Sequence, residues 1–391
     1  MNNEQSCHPE SSKPQRRYDL DWLRVLAVLL VIPMHTALVF GMRLFDIPTV
    51  AAGRNDALAV LAGLIYPWHM PLLFLISGAA TWFLLRSRTV SQYLLRRSFR
   101  LIPPMLFAIL VLIPPLAFVQ FLGRPGYPTN FFAFYPRFFT RLSPEGPFTW
   151  LHMWFVAYLL IFSLVSAPLF VYLKSRSGQR LISKLAAFAE SRGGIFLLFL
   201  PLAAIEIGLR ARWPGVQNLI DDVANDMRYL TFFLYGYLFM TNKRFTKAIA
   251  RQAPAAFGIG VLTATLLVLQ WVVFKIPAPP YSLTYAIGYA LWAFNGWTWL
   301  IAVLGFGYRY LSKPSKPLGY AGEAALPVYV LHLPINLAIG FYMVRWDTHL
   351  VLKYFLVVTT TIITTYAIYE VCFRRFRLMR RVLGMNPKRP V

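Results

Sequence analysis

The stretch LDWLRVLAVLLVIPMHTALVF, residues 20–40, is the first of several apolar blocks of about 20 residues that decide the fold. A block of this length crosses the hydrocarbon core of a bilayer as one helix. Of the 391 residues, 58% are hydrophobic and 14% are charged, whereas soluble domains hold about 25% charged residues. The composition excludes a wholly soluble enzyme, and two cysteines, Cys7 and Cys372, are too few for a disulfide-stapled secreted domain.

This block is the first of ten apolar spans in the chain, which together predict an all-α polytopic membrane protein. We expect a cytoplasmic N-terminal tail at residues 1–18, a single transmembrane domain at residues 19–373 and a basic cytoplasmic tail at residues 374–391. The predicted spans are residues 20–40, 58–85, 101–122, 148–173, 194–209, 229–240, 254–274, 283–308, 321–344 and 349–373.

The 39 Lys and Arg residues outnumber the 15 Asp and Glu residues, which gives a formal net charge of +24. With the N-terminus inside, 27 of the basic residues fall in inner segments and 10 in outer segments. Cytoplasmic segments of membrane proteins carry such an excess, so we predict that both termini are cytoplasmic. The charge then indicates contact with membrane lipids and not a nucleic-acid partner.

Two segments between spans carry patterns of their own. The inner stretch RSRTVSQYLLRRSFR, residues 86–100, has apolar residues between arginines and predicts a basic amphipathic interfacial helix. The outer stretch at residues 123–147 is rich in Pro and aromatic residues, which predicts an ordered cap.

Arg24 and His35 lie within the first span, eleven residues apart. Eleven steps of about 100° make three turns and about 20°, so both side chains share one helix face, about 16 Å apart along the axis. Ionisable groups at such depth usually face a bundle interior or a water-filled cavity. Two interpretations stay open: a functional pair, or an arginine that reaches lipid phosphates beside a histidine with one interhelical hydrogen bond.

Three further histidines, His69, His152 and His332, also lie within spans. Each alone is more typical of a structural histidine, but four in one bundle indicate a polar cavity. Ser77 and Gly78 favour helix packing over a nucleophile, because no strand-turn-helix elbow surrounds them. The His and Cys positions are too scattered to predict a metal site.

Five fragments occur in order at matching span positions: RVLAVLLVIPMH, FLISG, RRSFRLIPPM, HMWFVAYLL and YVLHLPI. Together they resemble the bacterial membrane acyltransferase family 3. The C-terminal TTYAIYEVCFRRFRLMRRVLG is similar to the last helix of that family. The opening and the tail are most similar to its glucan-biosynthesis branch, and the resemblance runs from Tyr18 to Gly384.

The resemblance implies an O-acyltransferase of the bacterial cytoplasmic (inner) membrane. Such an enzyme moves an acyl group, acetyl or succinyl, from cytoplasmic acyl-CoA to a hydroxyl of a periplasmic or extracellular glycan. Acyl-CoA is then the expected donor, and no metal is expected. The chain has GEAALPVY before His332 where many members have Ser-Tyr, which leaves the acceptor open. The oligomeric state is open as well.

Arg24, Arg97 and Arg100 are the candidate donor-binding residues. Arginines bind phosphates through charge-assisted contacts, as the phosphates of coenzyme A require. An arginine cluster attracted to anionic lipid has the same sequence pattern, so that alternative stays open.

His35 is the predicted general base, because a neutral imidazole accepts a proton near neutral pH. A covalent acyl-histidine is the alternative. His332 and Glu370 are the further catalytic candidates, and Glu370 either orients a histidine or the donor, or pairs with Arg374 or Arg375.

A different class of function uses the same residue types. An exporter of an anionic or glycan-linked solute also holds Arg, His and Glu within its spans. That function predicts inverted repeats with paired broken helices, which the sequence pattern does not contain.

Overall fold

The computed structural model describes residues 16–41 and 55–386, so Cys7 and most of the predicted N-terminal tail lie outside the described residues. Within these two ranges the chain is all-helical and forms no β-strand. The sixteen α-helices are α1 (Tyr18–Gly41), α2 (Asp56–Leu85), α3 (Val90–Phe107), α4 (Ile113–Phe121), α5 (Phe131–Phe138), α6 (Trp154–Val165), α7 (Ala167–Lys174), α8 (Arg176–Glu190), α9 (Gly194–Leu197), α10 (Leu200–Leu209), α11 (Val223–Thr241), α12 (Lys243–Val268), α13 (Leu283–Tyr310), α14 (Lys316–Met343), α15 (Leu350–Ile368) and α16 (Arg377–Val382).

Local sequence signals set several helix starts. The Asn55 side chain accepts a hydrogen bond from the amide of Leu58 at the start of α2. Thr89 and Gln92 form a capping box at the start of α3, and Ser282 caps α13. Each cap satisfies amide donors that the first turn of a helix leaves without a carbonyl partner.

Short π-helical turns continue three of the helices. Ala108–Leu112 joins α3 to α4, Leu269–Val273 follows α12, and Tyr369–Arg374 follows α15. The first of these makes Val90–Phe121 one apolar helix of 32 residues. The helix predicted for residues 86–100 thus begins at Val90 and forms the first turns of a longer helix, and its position at the interface stays a prediction.

Among the described residues, seven helices are long and apolar enough to cross a membrane, and two bent pairs raise the number to nine. The bent pairs are α6 with α7, at 48°, and α8 with the segment Gly194–Leu209, at 117°. The predicted count of ten is not confirmed. The remaining predicted span, residues 229–240, belongs to α11, whose first turns are polar and carry Asn225, Asp226 and Arg228.

Helices α2 and α11 pack with their backbones in close approach. A Cβ atom on Gly78 would lie 1.8 Å from the Phe233 carbonyl oxygen, and one on Gly236 would lie 1.8 Å from the Leu75 carbonyl oxygen. Both positions therefore require glycine, as small residues commonly do where membrane helices meet. The packing interpretation of Gly78 is confirmed.

Helices α1 and α14 run parallel, and their contacts fix the register of the site. Arg24 Nη2 lies 3.3 Å from the Cβ position of Gly322, near the start of both helices. Three further pairs follow along the helices: His35 with His332, Thr36 with Asn336, and Val39 with Gly340. One end of this helix pair thus carries an arginine, and the other half carries the histidines.

Two segments outside the long helices fold against the bundle. The predicted cap at residues 123–147 contains α5, which Asn130 caps and which buries Phe134 and Phe138, so its order is confirmed. The predicted C-terminal tail contains α16, where Arg380 is buried and pairs with Glu323.

Candidate active site

Three histidines from distant parts of the sequence meet in the bundle. The rings of His35 on α1 and His332 on α14 have centroids 5.1 Å apart. The His152 ring, from the 3₁₀ turn Leu151–Met153, lies 5.3 Å from that of His332. The structure therefore brings together the two histidines that the sequence analysis named as catalytic candidates, with His332 in the middle.

Backbone carbonyls fix which ring nitrogen of each histidine carries a proton. A carbonyl only accepts, so His35 Nδ1 donates to the Val31 carbonyl at 3.0 Å, and His332 Nδ1 donates to that of Tyr329 at 2.6 Å. In the neutral rings the lone pairs are then on both Nε2 atoms. His332 Nε2 faces His35 Nδ1 at 3.4 Å, and among the described residues no hydrogen bond engages His35 Nε2.

His35 differs from its two neighbours in accessibility. His152 and His332 are 4% and 1% exposed, whereas His35 keeps intermediate exposure. Both neighbours are also held by the backbone, since His152 Nε2 donates to the Val330 carbonyl at 2.9 Å and the Tyr329 hydroxyl donates to the His152 carbonyl. His35 is thus the most exposed member of this group.

The fourth intramembrane histidine has a separate place. His69 on α2 is fully buried, and its Nε2 donates to the Ala27 carbonyl on α1 at 2.7 Å. This bond joins α1 to α2, which is the structural role that a lone buried histidine most often has.

Arg97 on α3 is partly buried, lies over the Phe233 ring and donates its hydrogen bonds to two hydroxyls of the described residues. Its Nη2 donates to Ser77 Oγ at 2.9 Å and its Nε to Ser163 Oγ at 3.1 Å. Within residues 16–41 and 55–386, no carboxylate forms an ion pair with it. Hydroxyls orient a guanidinium but do not neutralise it, so Arg97 retains its charge for an anionic ligand.

Arg24 lines a pocket of about 180 Å³ between α1 and α2. One of its terminal nitrogens lies 3.3 Å from Asp21, and its Nε is buried without a hydrogen-bond partner among the described residues. Arg16, Arg17 and Asp21 line the same pocket. The pocket is basic and could accept a phosphate.

The third predicted donor residue, Arg100, lies one turn beyond Arg97 on α3 and is exposed. Its main chain supports the C-terminal segment: a Cβ on Gly384, at a φ of +66°, would lie 2.2 Å from the Arg100 carbonyl oxygen. Arg97 and Arg100 share a helix face, but only Arg97 is held by side chains of other helices.

Glu370 lies apart from the histidines, in the π-helical turn after α15. Its carboxylate accepts from Arg374 Nη1 at 2.8 and 3.0 Å and from the Tyr320 hydroxyl at 3.1 Å. The pairing with Arg374 is the second of the two roles that the sequence left open. Among the described residues, no hydrogen bond joins Glu370 to a histidine.

Two supports of the site carried no sequence signal of their own. Ser163 was not singled out, although it holds Arg97, and Asn336 binds Thr36 Oγ1 at 2.7 Å beside His35. Helical spacing from a histidine could have pointed to Asn336, which lies one turn beyond His332.

Comparisons with known proteins identify the family of the chain. Residues 17–370 match the acyltransferase 3 family model, which is described as an acyltransferase domain. The chain is 25% identical over 352 residues to proteins named glucans biosynthesis protein C from Salmonella agona (strain SL483) and Salmonella schwarzengrund (strain CVM19633), with 84% of each chain covered. No solved structure matches the chain. From the family match over most of its length, the chain belongs to the acyltransferase 3 family of membrane proteins.

Proposed function

We propose that this protein is a membrane O-acyltransferase that moves an acetyl or succinyl group from cytoplasmic acyl-CoA to a hydroxyl of a glycan outside the cytoplasmic membrane. The observation that carries the proposal is the arrangement of α1. Its His35 is partly exposed and packs against His332 of α14, and its first turns carry Arg24, which lines a basic pocket. The relatives named for glucan biosynthesis support a glucan as the acceptor.

In the reaction, His35 Nε2 takes the proton of the glycan hydroxyl while the oxygen attacks the thioester carbonyl. The tetrahedral intermediate then breaks its carbon–sulfur bond, and the leaving thiolate takes the proton back from the imidazolium. The products are an acyl ester and free coenzyme A. His332 serves as a positioning residue, because its ring packs against that of His35 and its Nε2 faces His35 Nδ1 at 3.4 Å.

The donor phosphates are assigned to Arg24, Arg97 and Arg100. Arg97 supports this assignment best, since its guanidinium has two serine hydroxyls and no acid as partners. Glu370 is assigned to holding the cytoplasmic end of the last span through Arg374, and not to the chemistry.

The orientation follows from the donor. We propose ten spans with both termini in the cytoplasm of a bacterial inner membrane, with α11 as the span beyond the seven long helices and the two bent pairs. Cysteine introduced at Asn386 should react with a membrane-impermeant thiol reagent only in inverted vesicles, and cysteine at Asn130 only in intact spheroplasts. Equal labelling of both positions from outside would contradict this orientation.

The proposed function is tested by coenzyme A release from purified protein in detergent micelles. Acyl-CoA should be cleaved faster when glucan is added, and the acyl group should appear on the glucan. The alternative is an exporter of an anionic or glycan-linked solute, which would release no coenzyme A but would move labelled solute across proteoliposomes. That pair of results would overturn the proposal.

A further inference from the structure

Helix α15 presents a polar stripe to the inside of the bundle. Thr361, Thr365 and Tyr369 recur every fourth residue, so they share one face, and each is 0% exposed. Thr359, on the opposite side of the helix, is exposed. The stripe extends about 12 Å along the helix axis.

Much of the hydrogen-bonding capacity of this stripe and its surroundings is unused. The Thr365 hydroxyl and the Tyr369 hydroxyl are buried without a hydrogen-bond partner among the described residues. The same is true of Asn336 Oδ1 on α14 and Arg24 Nε on α1. Buried polar atoms without partners are rare in folded proteins, because their desolvation is not compensated.

The orientation of Asn336 is fixed by its neighbours. Thr36 donates its own hydroxyl proton to the Ile32 carbonyl at 2.9 Å, so its oxygen must accept from Asn336 Nδ2. Asn336 Nδ2 also lies 3.4 Å from Thr361 Oγ1. The free Oδ1 of Asn336 is therefore an acceptor that lies beside the histidines and the end of the stripe at Thr361.

The end of the stripe at Tyr369 lies at the same level along the bundle as Arg24. The Tyr369 ring lies 5.9 Å from that of Tyr320, which belongs to the first turns of α14. Gly322, two residues further along α14, contacts Arg24. Along the helix axes, Tyr369 is thus level with Arg24, and Thr361 is level with His35.

We propose that the α15 stripe binds the pantetheine arm of acyl-CoA and guides the thioester from Arg24 to His35. This inference rests on the proposed function. The arm carries two amides and a hydroxyl, which can pair with the unused hydroxyls and with Asn336 Oδ1. Its twelve bonds from phosphate oxygen to sulfur equal about four residues of extended chain, or about 14 Å. Arg24 and His35 are about 16 Å apart along α1, so the arm fits the span between them.

The substitutions Thr365→Val and Tyr369→Phe test the assignment, with Thr359→Val as the matched control on the exposed face. Each stripe variant should raise the KM for acyl-CoA by about 2- to 10-fold, the loss expected for one hydrogen bond, and leave the KM for glucan unchanged. The thermal midpoint of the donor-free protein should stay the same or rise, because the removed hydroxyl has no partner there. The control should change neither quantity.

A truncated donor sharpens the test. An acyl-N-acetylcysteamine thioester lacks the phosphate end of the arm, so Tyr369→Phe should leave its KM unchanged. If the stripe only joins helices, the variants lower the thermal midpoint and leave the acyl-CoA KM unchanged, which would overturn the inference. If the wild-type protein itself transfers no acyl group from acyl-CoA, the proposed function fails first.

If the kinetic variants fold poorly, a disulfide-labelling experiment tests the proposed path of the pantetheine arm instead. In a background with Cys7 and Cys372 replaced by Ser, Thr361→Cys should form a mixed disulfide with activated coenzyme A, because the thiol of the arm reaches that level. Thr359→Cys should not. Equal modification at both positions, or none at Thr361→Cys, would contradict the proposed path.

Discussion

Arginines in two regions of this protein have opposite surroundings. Arg210 and Arg228 share the carboxylate of Glu206, at 2.8 and 3.5 Å, in a fully buried network that Asn225 extends to Asp222. Arg228 also donates to the Pro67 carbonyl at 2.7 Å and lies over the Trp292 ring. Arg97, at the other end of α2, is oriented by two serines and has no acid beside it within the described residues.

The difference indicates that the burial of an arginine within the helix bundle does not by itself identify it as an anion-binding residue. An arginine with a carboxylate partner is neutralised within the protein, and such a pair holds helices together. An arginine with hydroxyl partners is oriented but keeps its charge, which costs free energy until an anion arrives. The network around Glu206 therefore belongs to the fold, and Arg97 is the arginine that we propose for the donor site.

The largest effect is expected from breaking the paired region. Glu206→Ala leaves Arg210 and Arg228 buried without their shared acid, and removal of one partner from a buried pair costs about 3–5 kcal/mol. The thermal midpoint of the purified protein should fall sharply, with activity lost only through unfolding. Glu190→Ala is the control, because Glu190 and its partner Arg244 are 38% and 52% exposed. It should change stability by about 1 kcal/mol or less. A stable Glu206 variant with a raised acyl-CoA KM would move this network into the donor site.

The reverse outcome is expected for the unpaired region. Arg97→Ala should raise the KM for acyl-CoA more than that for glucan, by about 1.5–3 kcal/mol for one lost charged contact, and leave thermal stability nearly unchanged. Arg97→Lys should rescue only partly, because an ammonium lacks the fork of the guanidinium. Arg86→Ala, on an exposed residue, is the control. An unchanged donor dependence in the Arg97 variants would return this residue to a structural role.

This comparison also shows what the sequence could predict. Local periodicity and composition, which act within one helix or loop, predict three features: the first span, the shared face of Arg24 and His35, and the ordered cap before α6. The contact of His35 with His332 does not, since 297 residues separate them and helical spacing within one element does not fix the register of another.

Two arginines lie deeper in the bundle than the predicted spans place them. Arg228 falls just before the predicted span at residues 229–240 and Arg97 just before the one at residues 101–122, because an arginine in the sequence is normally solvated. Their partners, Glu206, Ser77 and Ser163, lie on other helices and became visible only in the fold. Helix α11 begins at Val223, before the apolar part of its predicted span, since its first turns are polar and partly buried.

A smaller effect is expected at Arg24, which is intermediate between the arginines with a carboxylate partner and those without one. Arg24 lines the pocket that we propose for the donor but is partly paired with Asp21, at 3.3 Å, and both side chains are partly exposed. Asp21→Asn removes a charge that competes with the donor phosphate, so the KM for acyl-CoA should fall by about 2- to 5-fold, the scale of an exposed ion pair. A rise in the KM would show that Asp21 positions Arg24 for the donor.

The measurement that tests the account most directly is acyl transfer by His35→Gln. Gln can still donate and accept hydrogen bonds, but it cannot take a proton at neutral pH. Transfer from acyl-CoA to glucan should fall by about 10²- to 10⁴-fold, the contribution of a general base, while acyl-CoA still raises the thermal midpoint of the variant. Near-normal turnover would contradict the assignment of His35 and move the base to His332.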